Sequence, residues 1–286
     1  MIVVTGASGT IGGELLRLLA ARGVPARALS RDPPAGEPLP GIEWRTADLA
    51  DREGLPGALE GAGRLFLLTG NSADMVGLQK NAIRAALDAG VRHVVKLSAL
   101  GATDHSKSVI GLWHFNVERA LRESGLGWTI LRPHHFMQNL LDELVFHRAS
   151  ARVRSAAGEG KIPFIDTRDI AEVAAEILVR EGPTGEILTL TGPEAISYRD
   201  ATAVLAEVLG RPLEYESQTI DEAWTRRRAA GQPPWLAAAQ LAIAEYQRAG
   251  GPTERVTDTV ERVTGKPART LRDFAVDHRE ALAALG

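Results

Sequence analysis

The stretch Thr5-Gly6-Ala7-Ser8-Gly9-Thr10-Ile11-Gly12-Gly13 follows the β-branched run Ile2-Val3-Val4 and leads straight into Glu14-Leu15-Leu16-Arg17-Leu18-Leu19-Ala20-Ala21. The first run reads as a buried strand, and the last has helical apolar spacing. A glycine motif carries physical meaning in that context. Gly6 suits the tight turn out of the strand. Gly9 leaves room for a pyrophosphate against the backbone, and Gly12 lets the helix pack closely on the sheet. The helix N-terminus, with Ser8, Thr10 and Ile11 around it, offers unpaired N–H groups and partial positive charge to phosphates. The spacing is Gly-x-x-Gly-x-x-Gly, not the Gly-x-Gly-x-x-Gly of the general fingerprint. In this setting it still predicts a dinucleotide-binding βα unit.

Further strands are expected at Pro25–Ser30, Ile42–Arg45, Arg64–Leu68, His93–Leu97 and Gly127–Leu131, with helices near Met75–Ala89 and Leu112–Ser124. Strands alternating with helices imply parallel pairing and right-handed crossovers, with ligands at the carboxyl ends of the strands. The fold class is therefore α/β: a Rossmann-like doubly wound parallel sheet. Candidate cofactor positions at those ends are Arg31, Asp48 and Leu49, then Thr69, Gly70 and Asn71, then Ser98 and Pro133. The second strand closes on Ser30-Arg31 without a carboxylate, although Asp32 is next. An arginine pairs with a 2′-phosphate whereas a carboxylate binds ribose hydroxyls, so NADP(H) is favoured over NAD(H).

Past residue 150 the pattern loosens. A short strand is expected at Lys161–Ile165, then helices near Asp169–Val179, Ser197–Gly210, Asp221–Ala229, Trp235–Ala249, Thr257–Val263 and Leu271–Ala284, with an edge strand at Leu213–Ser217. Residues 1–150 read as the NAD(P)-binding domain. Residues 151–286 read as a smaller, mostly helical substrate lobe that returns partly to the sheet.

The 286 residues are 44% hydrophobic and 24% charged, with net charge −3, which gives no electrostatic case for nucleic acid or an anionic membrane. Arg226-Arg227-Arg228 reads as a solvated helix face. There are no cysteines, so disulfides, thiolate chemistry and iron–sulfur clusters are excluded. No His, Asp or Glu spacing indicates a metal site. The first strand starts right after Met1 and no apolar run approaches the ~20 residues of a membrane span, so a cytoplasmic protein is expected. The five tryptophans, Trp44, Trp113, Trp128, Trp224 and Trp235, read mostly as core.

The chain resembles the NmrA-like branch of the atypical short-chain dehydrogenases/reductases. The resemblance rests on Thr5–Gly12, Arg27–Arg31, Ala47-Asp48-Leu49, Leu97-Ser98-Ala99, Thr129–Pro133 with Phe136–Asn139, and Pro163–Ala171. It implies NADP(H) and a variable C-terminal region that shapes the substrate site. His114-Phe115-Asn116-Val117-Glu118 resembles the His-x-x-x-Glu of a subgroup that includes NADPH-dependent quinone and triphenylmethane-dye reductases. Ordinary members of the wider family carry Tyr-x-x-x-Lys there. Aligning His114 with the lysine places Ile110 where the tyrosine would stand, so the usual acid and its helper are missing.

Ser98 is a candidate for bonding substrate or ribose, or else it caps a strand end. His114 is a candidate for contacting ribose or shuttling a proton, or else it is a packed histidine. Glu118 lies on the same helix face; it is a candidate for orienting His114, or else, the preferred reading, a solvent-facing acid. Of the adjacent His134 and His135, at most one faces a pocket; His135, Phe136 and Trp113 are the substrate-side candidates. Two functions fit: an NADPH-dependent reductase of a conjugated, quinone-like small molecule, or a non-catalytic NADP(H) sensor. A monomer or homodimer is expected.

The Arg31 reading yields a first test. NADPH should bind about tenfold more tightly than NADH, because one charge-assisted phosphate contact contributes ~1.5–3 kcal/mol. Arg31→Ala should abolish that preference in a fluorescence titration; a retained preference would place the phosphate contact elsewhere.

Overall fold

The computed structural model describes residues 1–34, 36, 39–141, 146–147, 152–180 and 182–284. Its strands are β1 (Ile2–Val4), β2 (Ala26–Ser30), β3 (Ile42–Thr46), β4 (Arg64–Leu67), β5 (His93–Leu97), β6 (Gly127–Pro133), β7 (Phe146–His147), β8 (Arg152–Ser155), β9 (Ile187–Leu190) and β10 (Glu214–Ser217). Seven of them form one sheet in the order β3-β2-β1-β4-β5-β6-β9, and β10-β8-β7 form a second. Every pairing from β3 through β6 is parallel. The chain order reverses between β1 and β4, which makes the Rossmann-like switch point where ligands bind such sheets.

The helices are α1 (Thr10–Ala21), α2 (Leu55–Ala58), α3 (Met75–Asp88), α4 (Val109–Arg122), α5 (Thr167–Val179), α6 (Tyr198–Leu209), α7 (Ile220–Ala229), α8 (Pro234–Ala249), α9 (Thr259–Thr264), α10 (Leu271–Asp277) and α11 (Arg279–Ala283). None is long and apolar enough to cross a membrane. The chain divides into two compact units. The first is Met1–Asp104, Ile110–Arg132 and Arg168–Thr189; the second is His105–Val109, Pro133–Thr167 and Leu190–Gly286.

In the first unit, alternation along the strands sends Val3, Leu65, Leu67, Val94 and Ile130 to one face. There they pack against Leu55 of α2, Ile83 of α3 and Val117 and Leu121 of α4. Each such side chain contributes ~1.5–3 kcal/mol on burial. Helix α1 buries Ile11, Leu15, Leu16 and Leu19, and Arg22 at its end pairs with Glu176 of α5 at 2.8 Å. In the second unit, Met137, Leu140, Val153, Phe164, Leu205, Leu271 and Phe274 form a core. Its helices start where the sequence signals them. Ser197 with Asp200, Thr219 with Glu222 and Thr270 with Asp273 form reciprocal capping boxes.

Four expectations change. Lys161–Ile165 is not a strand: only the isolated bridges Ile162–Ile196 and Phe136–Ile165 form there, since Pro163 removes a ladder donor. The last helix breaks at His278 into α10 and α11. None of the tryptophans is fully buried: four are half-buried, of which Trp128 packs against the core of the first unit, and Trp224 is exposed on α7, facing α8 residues across a shallow cavity of about 360 Å³. The arginine run is no free solvated face either, because Arg226 bonds Gln218, and Arg227 and Arg228 both bond Gln232, tying down the α7–α8 turn.

Glycine geometry separates folding from binding here. A Cβ on Gly12 would lie 2.2 Å from the Gly6 carbonyl oxygen, whereas one on Gly9 would meet the same oxygen at 3.3 Å. Gly12→Ala should therefore cost about 1–3 kcal/mol or more in urea unfolding, and Gly9→Ala under about 1 kcal/mol. Equal costs would refute this division of roles.

Candidate functional site

The site starts at the carboxyl end of β1. Thr5 clamps this strand to β4: its N–H donates to Phe66 O at 3.0 Å, its hydroxyl donates to Leu68 O at 2.9 Å, and Leu68 N–H donates back to that hydroxyl at 2.9 Å. Gly6 then turns at φ +61°, with Leu68 only 2.9 Å from where a Cβ would be. Gly9 is the extended N-cap residue of α1; no side chain caps the helix and no acid stands in its first turn. Ser8, Gly9 and Thr10 are exposed while Ile11 and Gly12 are buried. An open helix N-terminus with uncapped N–H groups, behind a loop whose glycines keep side chains away, fits a pyrophosphate.

The other cofactor candidates follow along the same sheet edge in strand order. At the end of β2, Ser30 Oγ accepts from the Asp32 N–H at 3.2 Å, and Arg31 is exposed in that turn. After β3, Asp48 is exposed and accepts from the Ala50 N–H at 2.9 Å, while Leu49 O accepts from Asn81 at 2.9 Å. After β4, Thr69 Oγ1 accepts from Gln79 Nε2 at 2.8 Å, which leaves its own hydroxyl proton to donate elsewhere. Gln79 is buried and its Oε1 has no partner. Gly70 and Asn71 are exposed beside it. Asp48, Arg31, the glycine loop, Thr69 and Ser98 thus follow one another at the carboxyl ends of β3, β2, β1, β4 and β5.

Below Ser98 lies a buried polar network. Ser98 Oγ donates to Glu118 Oε1 at 2.5 Å, and Arg132 holds both oxygens of that carboxylate, at 2.9 and 2.5 Å. Glu118 is 0% exposed, which corrects its reading as a solvent-facing acid. The arginine that neutralises it comes from β6, far off in sequence, so helix periodicity alone could not reveal the pairing. Because Ser98 has donated its proton, it meets a ligand as an acceptor. On the same strand face, Lys96 is completely buried; Nζ reaches Leu97 O at 2.9 Å and His114 Nδ1 at 3.0 Å. Ile110 is buried one turn before His114 and has no acid to offer. Lys96, Arg132 and Gln79 escaped the sequence reading, although a lysine inside the apolar run Val94-Val95-Lys96-Leu97 is itself a signal.

Trp113 is half-buried on α4 in the first unit, while Pro133, His134, His135 and Phe136 belong to the second. His134 is structural: Nδ1 accepts from the His135 N–H at 2.7 Å and Nε2 bonds Thr253 O at 2.9 Å. His135 is half-buried, and its Nε2 faces Asn139 Nδ2 and Tyr198 OH, both at 3.2 Å, with Phe164 edge-on at 5.7 Å. Phe136 bridges to Ile165. Tyr198 was not anticipated, since it opens a helix 63 positions from His135 and only folding brings the two together. Among the described residues no three His, Asp or Glu side chains converge as metal ligands.

Comparison with known proteins joins this geometry to a family. Residues 1–249 match the model of the NmrA-like family. This chain belongs to that family. It is 37% identical over 99% of its length, and all of the relative's, to an NAD(P)H azoreductase of Xenophilus azovorans. It is 39% identical, over 99% of both chains, to a (4-alkanoyl-5-oxo-2,5-dihydrofuran-3-yl)methyl phosphate reductase of Streptomyces griseus. Among solved structures, an Escherichia coli NADPH-dependent quinone oxidoreductase complexed with NADPH superposes with a TM-score of 0.87. It is 27% identical, over 97% of this chain and 99% of that one.

In this NmrA-like chain the buried histidines are neutral. Burial lowers His93 to about 4, helped by the Arg64 cation, and lowers His134 to about 4 against the Thr253 carbonyl. Burial, then the Lys96 and Arg132 cations, holds His114 well below 6.5. The unfolded chain takes up these protons below about 6.5 and the folded chain does not, so stability is present above that pH and lost as pH falls toward about 4. Each group adds a slope of up to about 1.4 kcal/mol per pH unit. Urea midpoints should drop across this window, less steeply in His93→Gln. An unchanged midpoint would show that these rings are charged in the fold.

Proposed function

We propose that this chain is an NADPH-dependent reductase of conjugated acceptors such as quinones or azo compounds. The observation that carries this reading is the missing acid. Helix α4 presents Ile110 and a neutral, buried His114, and the Ser98 proton is engaged by Glu118. An alcohol–ketone reaction needs a positioned proton donor, and losing one costs roughly 10²–10⁴ in rate. A quinone or azo group is electrophilic already, so its reduction can proceed with the proton arriving late or from water. The relatives' names, which describe azo and unsaturated-lactone reduction, support the same class of acceptor.

The chain is an NAD(P)H-dependent oxidoreductase, and bound NADPH supplies the hydride. The Gly6–Gly12 loop and the α1 N-terminus hold the pyrophosphate, and Arg31 holds the 2′-phosphate. Thr69 as donor and Ser98 as acceptor orient the ribose or carboxamide. The protein's contribution is then largely positioning, which can supply several kcal/mol of barrier lowering. In the second unit, His135 and Phe136 are the side chains proposed to meet the acceptor.

The decisive measurement is NADPH oxidation with a quinone, an azo dye and a simple ketone. The conjugated acceptors should exceed the ketone in kcat/KM by about 10²-fold or more. Comparable ketone turnover would overturn the reading. NADPH binding without turnover of any acceptor would favour the sensor instead.

A further inference from the structure

The Lys96–His114 contact raises a question that packing does not answer. Lys96 is wholly buried, yet its polar contacts are a backbone carbonyl and an imidazole nitrogen, with no carboxylate among them. Glu118, the acid of the same helix, is already taken by Arg132 and Ser98. A buried ammonium without a carboxylate contact is costly, and a methionine would fill similar space at less expense.

We propose that Lys96 is a positioning residue that sets the tautomer of His114: its ammonium holds Nδ1 as an acceptor, so the ring proton sits on Nε2, and deprotonation of the amine lets that proton move to Nδ1. Only a lone pair on Nδ1 can receive an ammonium proton at 3.0 Å. Once the amine is neutral it has a lone pair of its own and can accept from Nδ1–H, while still donating to Leu97 O. The change falls near neutral pH, because burial lowers Lys96 to about 7, with Glu118 of α4 opposing and Arg132 of β6 reinforcing the shift. His114 itself stays neutral throughout, pushed down by burial, Lys96 and Arg132. The pair therefore decides whether Nε2 is a hydrogen-bond donor or an acceptor. With the proton on Nε2, His114 offers a neutral hydrogen-bond donor to a ribose oxygen of the bound cofactor. This use of the pair rests on the reductase reading; the tautomer itself does not.

The test is ¹⁵N NMR of histidine-labelled, cofactor-free protein, with the His114 signals assigned by their loss in His114→Gln. At about pH 6 the ring should be Nε2-protonated, moving toward Nδ1–H above about pH 8. Lys96→Met should abolish this pH response, and Lys96→Arg should keep Nε2–H throughout. An Nδ1–H ring or an imidazolium at the lower pH, or a tautomer unmoved by both pH and Lys96→Met, would overturn the proposal. The wild-type titration decides the matter even if a variant fails to fold. As a second readout, kcat/KM for a quinone should fall on the order of 10²-fold in Lys96→Met and lose its ionisation near neutral pH. A merely structural lysine would leave the pH profile in place. If no acceptor is reduced, the reductase reading fails while the NMR result still judges this one.

Discussion

The approach of helix α1 to the carbonyl of Gly6 constrains the first unit. At 2.2 Å from that oxygen there is no room for a Cβ, so residue 12 must be glycine for the helix to sit where it does. The close approach sets the helix N-terminus directly behind the loop. The Thr5 clamp to Phe66 and Leu68 brings the ends of β1 and β4 together at the point where chain order reverses. Packing thus accounts for Gly6 and Gly12, and of these three glycines Gly9 is the one whose missing side chain it explains least.

Two hydroxyls along that edge are set to opposite roles by what lies beneath them. Thr69 accepts from Gln79 and keeps a proton to donate; Ser98 gives its proton to Glu118 and keeps lone pairs. In each case a buried side chain from the flanking helix, α3 or α4, fixes the polarity of the residue at the strand end. Glu118 is tolerable at 0% exposure because Arg132 and Ser98 satisfy its oxygens. Ser98 thereby faces outward with lone pairs, unlike a serine with a free hydroxyl proton.

The second unit is built differently. Three of its helices, α6, α7 and α10, are launched by capping boxes, and its core is a cluster of side chains around Phe164 and Phe274 instead of a layered sheet. His135, Asn139 and Tyr198 meet there because a 3₁₀ turn at Met137–Leu141 and the start of α6 converge.

Sequence alone determined the elements whose signals are local. The glycine turn after Ile2–Val4 needs only strand, turn and helix in succession. The strand–helix alternation implies parallel pairing, and the capping boxes announce themselves within four residues. That sufficed for the α/β class and for a glycine turn between β1 and α1. Only the tertiary structure decided which polar groups are buried and with whom. Glu118 meets Arg132 across 14 positions, and Lys96 meets His114 across 18. Tyr198 meets His135 across 63. No periodicity encodes such pairs, because a charged residue on a helix face has the same pattern whether water or an arginine satisfies it. Burial decides the difference, and burial belongs to the whole fold.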